Sequence, residues 1–479
     1  MKLQKLSKIV ATIGPSSDSP DKIENLIKAG VNVFRFNMKH NVTDWHLERI
    51  DRVQEIADKL KIPIGIMIDL QGPEIRIKTS NGIGIPLEKN AEIPLTSNAN
   101  YASQETHEDP YIYLPQQAVI EALEPEDKFS IADGFYNFKV TKKLTPQTIK
   151  AQILNKGIIQ NNKSLNLVGK DLALPSLIDT DLDKLDAAAK TKADFVALSF
   201  VRSAKDLETL RAELKDRKIN AQMVAKVESQ KGLDNIDEVI AASDAIMIAR
   251  GDLGIETPLE QLPYYQKQII NKCREASKPV IVATQMLQSM VENPLPTRAE
   301  AADVAGAIYD GTDAIMLSEE SAVGAHPVEA VRFMTSIAAH NEKHTTAAED
   351  YIPDSLDRTH AVVRAALTML VPFSGVHIDK LLVGTQTGYT ARVFSSYRPK
   401  VPILALSDQQ KTVETLTMTY GVVPVYLNFK EKDFTDPDVL MARLKADGFL
   451  EEGETILLVH GKRIKDPGNT NSLSVFTVA

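Results

Sequence analysis

The sequence predicts an α/β protein: a (β/α)8 TIM barrel with an all-β lid domain inserted after barrel strand 3, followed by a C-terminal α/β domain. Three observations predict this fold. Eight short apolar runs alternate with helix-like stretches, turn-rich sequence interrupts them once, and a smaller alternating block follows a polar linker. Alternation favours parallel strands, and eight strand–helix repeats are the number that closes a barrel.

The predicted barrel strands are apolar or β-branched runs, each followed by sequence with apolar residues at helical spacing, such as "AKDLETLRAELKDRK". The runs occupy residues 8–14, 31–37, 64–70, 195–200, 222–228, 245–250, 279–285 and 314–319.

Two further segments differ from this pattern. "GIGIPLEKNAEIPL" and "DKFSIADGFYNFKVTKKL" combine short strand-like runs with turn residues, which is typical of a small all-β unit. The polar stretch "NEKHTTAAEDYIPDSLDR" precedes a block that contains "KLLVGTQT", "VPILAL" and "ETILLVHG". We therefore predict a barrel formed by residues 1–76 and 172–345, a lid formed by 77–171 and a C-terminal domain formed by 346–479.

Composition excludes several classes of protein. A formal charge of −9 argues against nucleic-acid binding, which needs concentrated Lys and Arg. The single cysteine, Cys273, excludes an intrachain disulfide framework and is read as a buried apolar side chain. No apolar run approaches the length of a membrane span, and "MKLQKLSKIVATIG" lacks a signal core. We expect a cytoplasmic, soluble protein with no membrane partner.

Polar side chains gather where the predicted barrel strands end, which is where parallel barrels carry their active sites. In "NVFRFNMKHN", Arg35, Asn37 and Lys39 alternate with apolar residues and are predicted to share one face. The other polar residues at strand ends are Asp69, Glu74, Arg76, Lys226, Glu228, Arg250, Asp252, Thr284, Ser318, Glu319 and Glu320. Gly251 and Gly254 flank Asp252, and backbone N–H groups there could hold a carboxylate or phosphate. Each alone is compatible with a solvated rim; together they predict one site.

This set of side chains suits phosphate chemistry with a hard metal ion. Glu228 and Asp252 follow neighbouring strands and could ligate Mg²⁺ or Mn²⁺, whereas the lack of nearby His or Cys makes zinc a poor fit. Lys226 could neutralise a transferring phosphoryl group. The planar guanidinium groups of Arg35 and Arg76 can each donate paired hydrogen bonds to phosphate oxygens.

Several long strings closely resemble the pyruvate kinase family, from about Ile9 to the C-terminus. They include "KIVATIGPSS", "GPEIR", "VAKVES", "DAIMIARGDLGIETPLEQLPYYQKQII" and "NPLPTRAEAADVAGAIYDGTDAIML". The resemblance implies transfer of the phosphoryl group of phosphoenolpyruvate to ADP, giving pyruvate and ATP in glycolysis. It also implies Mg²⁺ dependence, a mobile lid and a homotetramer.

By the same resemblance, Lys226 stabilises the phosphoryl group and Glu228 and Asp252 hold the divalent ion. The backbone N–H groups of Gly251 and Asp252 bind the substrate carboxylate, and Thr284 helps to protonate the enolate.

The nucleotide side of the resemblance rests on fewer residues. Arg35 matches an arginine that contacts phosphates of substrate or nucleotide, and His40 and Arg76 match further nucleotide-phosphate positions. Gln71 and Thr180 depart from the family pattern, so the nucleotide preference stays open.

The family's monovalent-cation site, an Asn, a Ser, an Asp and a Thr, corresponds here to Asn37, Lys39, Asp69 and Leu70. Our hypothesis is that the Lys39 ammonium, paired with Asp69, replaces K⁺ and makes that ion dispensable. The alternative is that Lys39 turns to solvent and the site is degraded. Glu74 keeps the acid that some K⁺-independent relatives replace by lysine.

In the C-terminal domain, "TQTGYTAR" resembles a loop that binds the phosphate of a sugar-phosphate or nucleotide effector. Thr385, Thr387, Gly388 and Thr390 would supply hydroxyl and N–H groups, and a later loop adds Lys462 and Arg463. A capped helix start is an equally good interpretation.

Two other functions remain open from the sequence. One is a different barrel enzyme acting on phosphoenolpyruvate or pyruvate; the other is a catalytically weakened relative that senses metabolites. The intact Lys226, Glu228, Asp252 and Thr284 favour a catalyst.

Overall fold

The computed structural model describes residues 4–101, 110–132, 134–167, 172, 174–345, 357–371, 375–428, 436–461 and 470–479. Eight parallel strands close a barrel, which confirms the predicted fold class. They are β1 (Lys8–Thr12), β2 (Val33–Asn37), β3 (Gly65–Asp69), β13 (Phe195–Leu198), β14 (Gln222–Val227), β15 (Ala245–Ala249), β16 (Val280–Ala283) and β17 (Ala314–Leu317). Around the barrel they follow the order β1-β17-β16-β15-β14-β13-β3-β2. Each strand lies inside one of the predicted runs.

Helices surround this barrel because their apolar faces pack on the strands. They are α1 (Pro20–Ala29), α2 (Thr43–Leu60), α4 (Asp179–Thr191), α5 (Ala204–Asp216), α6 (Gln230–Asp234), α7 (Ile236–Ala242), α8 (Arg250–Glu256), α9 (Leu262–Glu275), α10 (Arg298–Asp310), α11 (Glu319–Ala322) and α12 (Pro327–Asn341). Helix α1 shows the local signals clearly. The Ser19 side chain accepts a hydrogen bond from Lys22 N, and Gly30 ends the helix with φ of 117°.

The barrel interior is a packed core, so ligands have room only at its ends. Val10, Met67, Val224, Met247 and Ile281 are among the fully buried side chains that fill it. Cys273 is buried in α9, and burial raises the pKa of its thiol, as expected for an unreactive structural residue. No helix in the described ranges combines the length and apolarity required to cross a bilayer.

The insertion after β3 forms two small sheets with their own core. The larger sheet has the order β12-β8-β9-β10-β6-β7-β4, and β11 pairs with β5. The elements of the whole insertion are β4 (Lys78–Thr79), β5 (Gly84–Leu87), β6 (Glu92–Thr96), β7 (Ile112–Tyr113), α3 (Gln117–Ala122), β8 (Lys128–Ile131), β9 (Tyr136–Thr145), β10 (Thr148–Ile153), β11 (Gly157–Gln160) and β12 (Leu165–Leu167). Phe129 and Phe138 stack with ring centroids 5.0 Å apart.

The C-terminal unit is a five-stranded sheet in the order β20-β19-β18-β21-β22, in which only β22 runs antiparallel to its neighbour. Its elements are α13 (Arg358–Leu367), β18 (Lys380–Gly384), α14 (Tyr389–Ser396), β19 (Ile403–Ser407), α15 (Gln410–Thr415), β20 (Val422–Tyr426), α16 (Pro437–Ala446), β21 (Thr455–Gly461) and β22 (Thr470–Thr477).

This C-terminal sheet and its helices cover the amino end of the barrel. Asp313, just before β17, forms an ion pair of 2.7 Å with Arg398 and accepts a hydrogen bond of 3.0 Å from Tyr420 N. Lys8 donates to the carbonyl of Val422 at 2.6 Å. With that end closed, the carboxyl ends of the strands form the open face of the barrel, beside the insertion.

Candidate active site

Lys226 is the centre of a buried charge cluster at the open end of the barrel. It lies near the end of β14, where its Nζ is 2.9 Å from Glu228 Oε1 and 3.3 Å from Asp69 Oδ1. The same Nζ donates to Ser199 Oγ at 2.7 Å. Burial alone would lower the pKa of Lys226, but the Asp69 and Glu228 carboxylates outweigh it and raise that pKa. The ammonium is therefore charged at any physiological pH.

Arg35 and Asp69 form the second buried pair. Arg35 Nε and Nη2 both lie 2.6 Å from Asp69 Oδ2, and Arg35 Nη1 donates to Thr12 Oγ1 at 2.9 Å. Burial would raise the pKa of Asp69, but Lys226 and Arg35 together lower it. Asp69 is thus a permanent carboxylate that orients both cations.

Lys39 does not pair with Asp69, and that part of the sequence hypothesis is wrong. Its Nζ lies 2.9 Å from Glu74 Oε2 and 3.0 Å from Oε1. The reason is local: β2 ends at Asn37, and a turn follows in which Asn37 Oδ1 accepts a hydrogen bond from Lys39 N at 3.2 Å. Lys39 therefore leaves the strand face it was predicted to share and reaches the rim.

The other predicted monovalent-cation positions lie close together. Asn37 and Asp69 are partners in the register of β2 and β3. Asn37 Oδ1 accepts a hydrogen bond from Lys39 N, and the Leu70 carbonyl accepts a hydrogen bond from Ser199 Oγ at 2.7 Å. Asp69 Oδ1 makes an ion pair with Lys226 without a hydrogen bond of good geometry. The oxygens available to an alkali ion are therefore largely committed to protein donors.

His40 and Arg76 lie with Lys39 at the rim. Arg76 Nη2 is 3.1 Å from Glu74 Oε2, and Arg76 Nη1 donates to the Asn162 carbonyl of the inserted unit at 2.7 Å. Burial and then the neighbouring charges of Lys39 and Arg76 lower the pKa of His40. This rim joins the barrel to the insertion and is cationic, as an anion-binding surface should be.

A cavity of about 220 Å³ lies between the insertion and the barrel. Its lining includes Glu74, Ser164, Arg202, Asp252 and Glu256. Burial, and then the Asp252 carboxylate, raises the pKa of Glu256 to about 7. The predicted carboxylate Asp252 thus faces a space large enough for a small phosphorylated ligand.

The described residues alone do not form a complete set of metal ligands. Within the described ranges, no three Asp, Glu, His or Cys side chains come together as a metal site. Glu228 is buried, and its Oε2 accepts a hydrogen bond from Phe200 N at 2.7 Å. Two carboxylates plus water and ligand oxygens are a usual set for Mg²⁺. The donor set fits a divalent ion completed by substrate.

Thr284 and Gly251 meet at the next two strand ends. Gly251 N donates to Thr284 Oγ1 at 2.7 Å, so this predicted carboxylate-binding N–H is occupied by the threonine. Thr284 has φ of 71°, an unusual conformation for a β-branched residue and one found at functional sites. Arg250 holds the Thr284 carbonyl at 2.9 Å and both oxygens of Asp303 at 2.7 Å.

Comparison with known proteins identifies the family. Residues 4–331 match the family model "Pyruvate kinase, barrel domain", and residues 360–476 match "Pyruvate kinase, alpha/beta domain". The pyruvate kinase of Staphylococcus epidermidis (strain ATCC 35984) is 37% identical over 98% of this chain and 80% of its own. The pyruvate kinase of Staphylococcus aureus (strain MRSA252) is 36% identical over the same shares.

The chain belongs to the pyruvate kinase family. It is therefore an enzyme of the phosphotransferase class, as the resemblance implied.

Sequence reasoning missed Ser199 and the Arg250–Asp303 pair. Ser199 directly follows β13 and links Lys226 to the Leu70 carbonyl. The sequence carries a signal for Ser199, because this polar residue follows the apolar run "FVAL" just as the other predicted site residues follow their strands. Asp303 lies far along the chain in α10, and no local pattern couples it to Arg250.

The C-terminal loop leads into α14, but the residue at the helix start, Gly388, makes no side-chain cap, so both interpretations of this loop stay open. Gly388, with φ of 80°, precedes α14, and its N–H donates to Thr385 Oγ1 at 3.0 Å. Thr390 Oγ1 lies 3.0 Å from Thr470 Oγ1. Thr387 is exposed. Lys462 and Arg463 lie outside the described residues.

Proposed function

We propose that this enzyme transfers the phosphoryl group of phosphoenolpyruvate to ADP in the presence of Mg²⁺ or Mn²⁺, forming pyruvate and ATP. The observation that supports it is the charged Lys226, fixed between Asp69 and Glu228 at the mouth of the barrel. Phosphoryl transfer needs a preorganised cation beside the group in flight, because charge is spread over its equatorial oxygens.

We propose that Glu228 and Asp252 hold the divalent ion. A bound Mg²⁺ supplies Lewis-acid charge stabilisation for phosphoryl and enolate oxygens. Lys226 contributes a fixed positive charge from the protein side. Arg35 adds a second cation, which Asp69 and Thr12 keep in place for the phosphate.

We propose that Thr284 serves the protonation step. In the structure its Oγ1 accepts from Gly251 N. This bond uses a lone pair of Oγ1 and not the hydroxyl proton, so the Thr284 O–H can donate toward the enolate carbon, while a substrate carboxylate takes over the N–H groups of Gly251 and Asp252. His40 and Arg76, at the cationic rim, then bind the nucleotide phosphates.

We further propose that the enzyme is independent of K⁺, because Lys39 and Arg76 share the single carboxylate of Glu74 and so leave a net positive charge at the rim. Turnover in a tetramethylammonium buffer should change little when KCl is added. Lys39→Ala should lower kcat/KM on the order of tenfold, the effect of losing about 1.4 kcal/mol of charge stabilisation. Lys59→Ala, on the exposed side of α2, should leave it unchanged. An enzyme active only with added K⁺ would contradict this role.

Arg250 is proposed to position Thr284 rather than to contact substrate. Arg250→Lys keeps the charge but cannot bind the Thr284 carbonyl and both Asp303 oxygens together, so kcat should fall roughly tenfold with KM little changed. Steady-state kinetics with phosphoenolpyruvate measures this split. Arg332→Lys, on the exposed face of α12, is the matched control. A rise in KM alone would contradict a positioning role.

The remaining proposals concern the setting of the enzyme. We propose a glycolytic homotetramer of the cytoplasm, with a site for a sugar-phosphate or nucleotide effector at Thr385, Thr387, Gly388 and Thr390. Leu259, 70% exposed just before α9, and Tyr264, 61% exposed in its first turn, form apolar surface that a second copy would cover. Light scattering gives the mass, and a dilution series gives the strength of assembly.

Formation of pyruvate, followed with lactate dehydrogenase, tests the reaction. We expect turnover with phosphoenolpyruvate, ADP and Mg²⁺, and none when ADP or Mg²⁺ is omitted. Turnover measured with each of several nucleoside diphosphates shows which nucleotide the enzyme prefers. Pyruvate formation without any diphosphate would indicate a different enzyme, and no turnover with the whole panel would favour a metabolite sensor.

A further inference from the structure

Asp181 is a fully buried acid at the junction between the barrel and the insertion. It lies in the first turn of α4, where the chain re-enters the barrel after the insertion, and it is 0% exposed. A buried carboxylate is costly unless hydrogen-bond donors surround it. The donors around Asp181 therefore show which parts of the chain this side chain holds in place.

These donors are backbone N–H groups from both connections between the barrel and the insertion. Asp181 Oδ1 accepts a hydrogen bond of 2.8 Å from Gln71 N, and Oδ2 accepts one of 3.1 Å from Gly72 N. Both donors belong to the outgoing segment, which leads from β3 into the insertion. Oδ2 also accepts a hydrogen bond of 3.3 Å from Ile178 N, in the returning segment that leads into α4. One carboxylate thus ties the outgoing segment to the returning one.

Each segment also has an attachment of its own to the barrel. Gly72, in the outgoing segment, has φ of 70°, and a Cβ on it would lie only 2.9 Å from Ser199 Cβ, so this turn packs against the end of β13 only as glycine. In the returning segment, the Arg202 guanidinium donates to the carbonyls of Leu172 and Leu174 at 2.5 Å. Asp181 contacts both segments beside these attachments.

The outgoing segment carries part of the cationic rim. Glu74 follows Gly72 by two residues, and its N–H donates to the Gly72 carbonyl at 2.9 Å. The Glu74 carboxylate lies 2.9 Å from Lys39 Nζ and 3.1 Å from Arg76 Nη2. A shift of the turn at Gly72 would therefore move Glu74 and the two cations that it holds.

We propose that Asp181 is a positioning residue for the nucleotide: by anchoring both connections of the insertion, it keeps Lys39, Glu74 and Arg76 where the phosphates of a nucleoside diphosphate bind. This role rests on the proposed function of the rim. A carboxylate suits the role because both of its oxygens accept hydrogen bonds. An amide has one acceptor oxygen, so it cannot serve the N–H groups of Gln71 and Gly72 in the same way.

Asp181→Asn tests this role in the folded enzyme, because the outgoing segment then loses one of its two hydrogen bonds to this side chain. KM for ADP should rise roughly tenfold. KM for phosphoenolpyruvate and kcat should change less than about twofold, since Lys226 keeps its contacts with Asp69 and Glu228. Asp179→Asn, at an exposed position in the same turn of α4, should match the wild type. An unchanged KM for ADP, or a fall in kcat alone, would overturn the proposal.

Hydrogen–deuterium exchange measured by mass spectrometry tests the anchor without substrate. In the wild type, the amides of Gln71, Gly72 and Ile178 should be protected. Asp181→Ala, which removes both oxygens, should raise exchange in segments 71–74 and 174–178 together by about tenfold or more, and Asp179→Ala should leave both segments slow.

Fast exchange of the three amides in the wild type, or a rise confined to 174–178 in Asp181→Ala, would overturn the proposal even if that variant folds poorly. Exchange needs no turnover, so it also separates this proposal from the proposed reaction. A wild type that is inactive with every diphosphate would refute the reaction, and it would refute the positioning of the nucleotide by Asp181 as well.

Discussion

Lys226→Met should greatly reduce turnover while phosphoenolpyruvate still binds. The substitution removes the only ammonium that contacts both Asp69 and Glu228 in the described site, so the transferring group loses its preorganised cation. Removing one such electrostatic contact lowers kcat on the order of 10²–10³-fold. Pyruvate formation gives kcat, and quenching of intrinsic fluorescence by added phosphoenolpyruvate gives the dissociation constant.

Two controls separate chemistry from folding in this experiment. Lys190→Met removes an exposed lysine from α4 and should keep wild-type kcat. Circular dichroism shows whether Lys226→Met retains the barrel, because the variant leaves two buried carboxylates with fewer partners. A folded Lys226→Met enzyme with more than a tenth of wild-type kcat would contradict the proposed role.

Asp69→Asn should be the most destabilising of the conservative changes at the site. Asp69 is 1% exposed and contacts both Arg35 and Lys226. Removing one partner of a buried ion pair costs about 3–5 kcal/mol, because the other charge stays buried without compensation. The loss should appear as a lower melting temperature, and Arg35 should no longer be held for phosphate, so kcat/KM should fall as well.

The pH dependence of that loss has a defined sign. The pKa of Asp69 is lower in the folded protein than in the unfolded chain, so its pairing stabilises the fold above about pH 4. This contribution disappears as the pH falls through the folded pKa. The difference in melting temperature between wild type and Asp69→Asn should therefore be full at pH 7 and shrink below about pH 4. Asp58→Asn, at an exposed position of α2, should show no difference, and a constant difference for Asp69→Asn down to pH 3 would contradict the assignment.

The barrel could be predicted because its signals are local. A buried parallel strand is a short apolar run, and a helix has apolar residues at helical spacing. Each strand–helix repeat can therefore be recognised from its own stretch of sequence. Strand ends then place Lys226, Asp252 and Thr284 on one rim without any knowledge of side-chain contacts.

The partner of Lys39 could not be predicted in the same way. The alternation of apolar and polar residues continues in the sequence past Asn37, but β2 ends there and the Asn37 side chain accepts a hydrogen bond from Lys39 N in the following turn. The position of a strand end depends on tertiary hydrogen bonds. Contacts between the barrel and the C-terminal unit, such as Lys411 with Asp194 at 2.5 Å, likewise join distant parts of the chain and leave no pattern in either segment.

The central claim is that the phosphoryl group of phosphoenolpyruvate moves to ADP within this site. Enzyme mixed with ³²P-labelled phosphoenolpyruvate, ADP and Mg²⁺ in a K⁺-free tetramethylammonium buffer tests it most directly. The account predicts that the label appears in the terminal phosphate of ATP in step with pyruvate. Label released as inorganic phosphate, or retained in phosphoenolpyruvate with and without added K⁺, would contradict it.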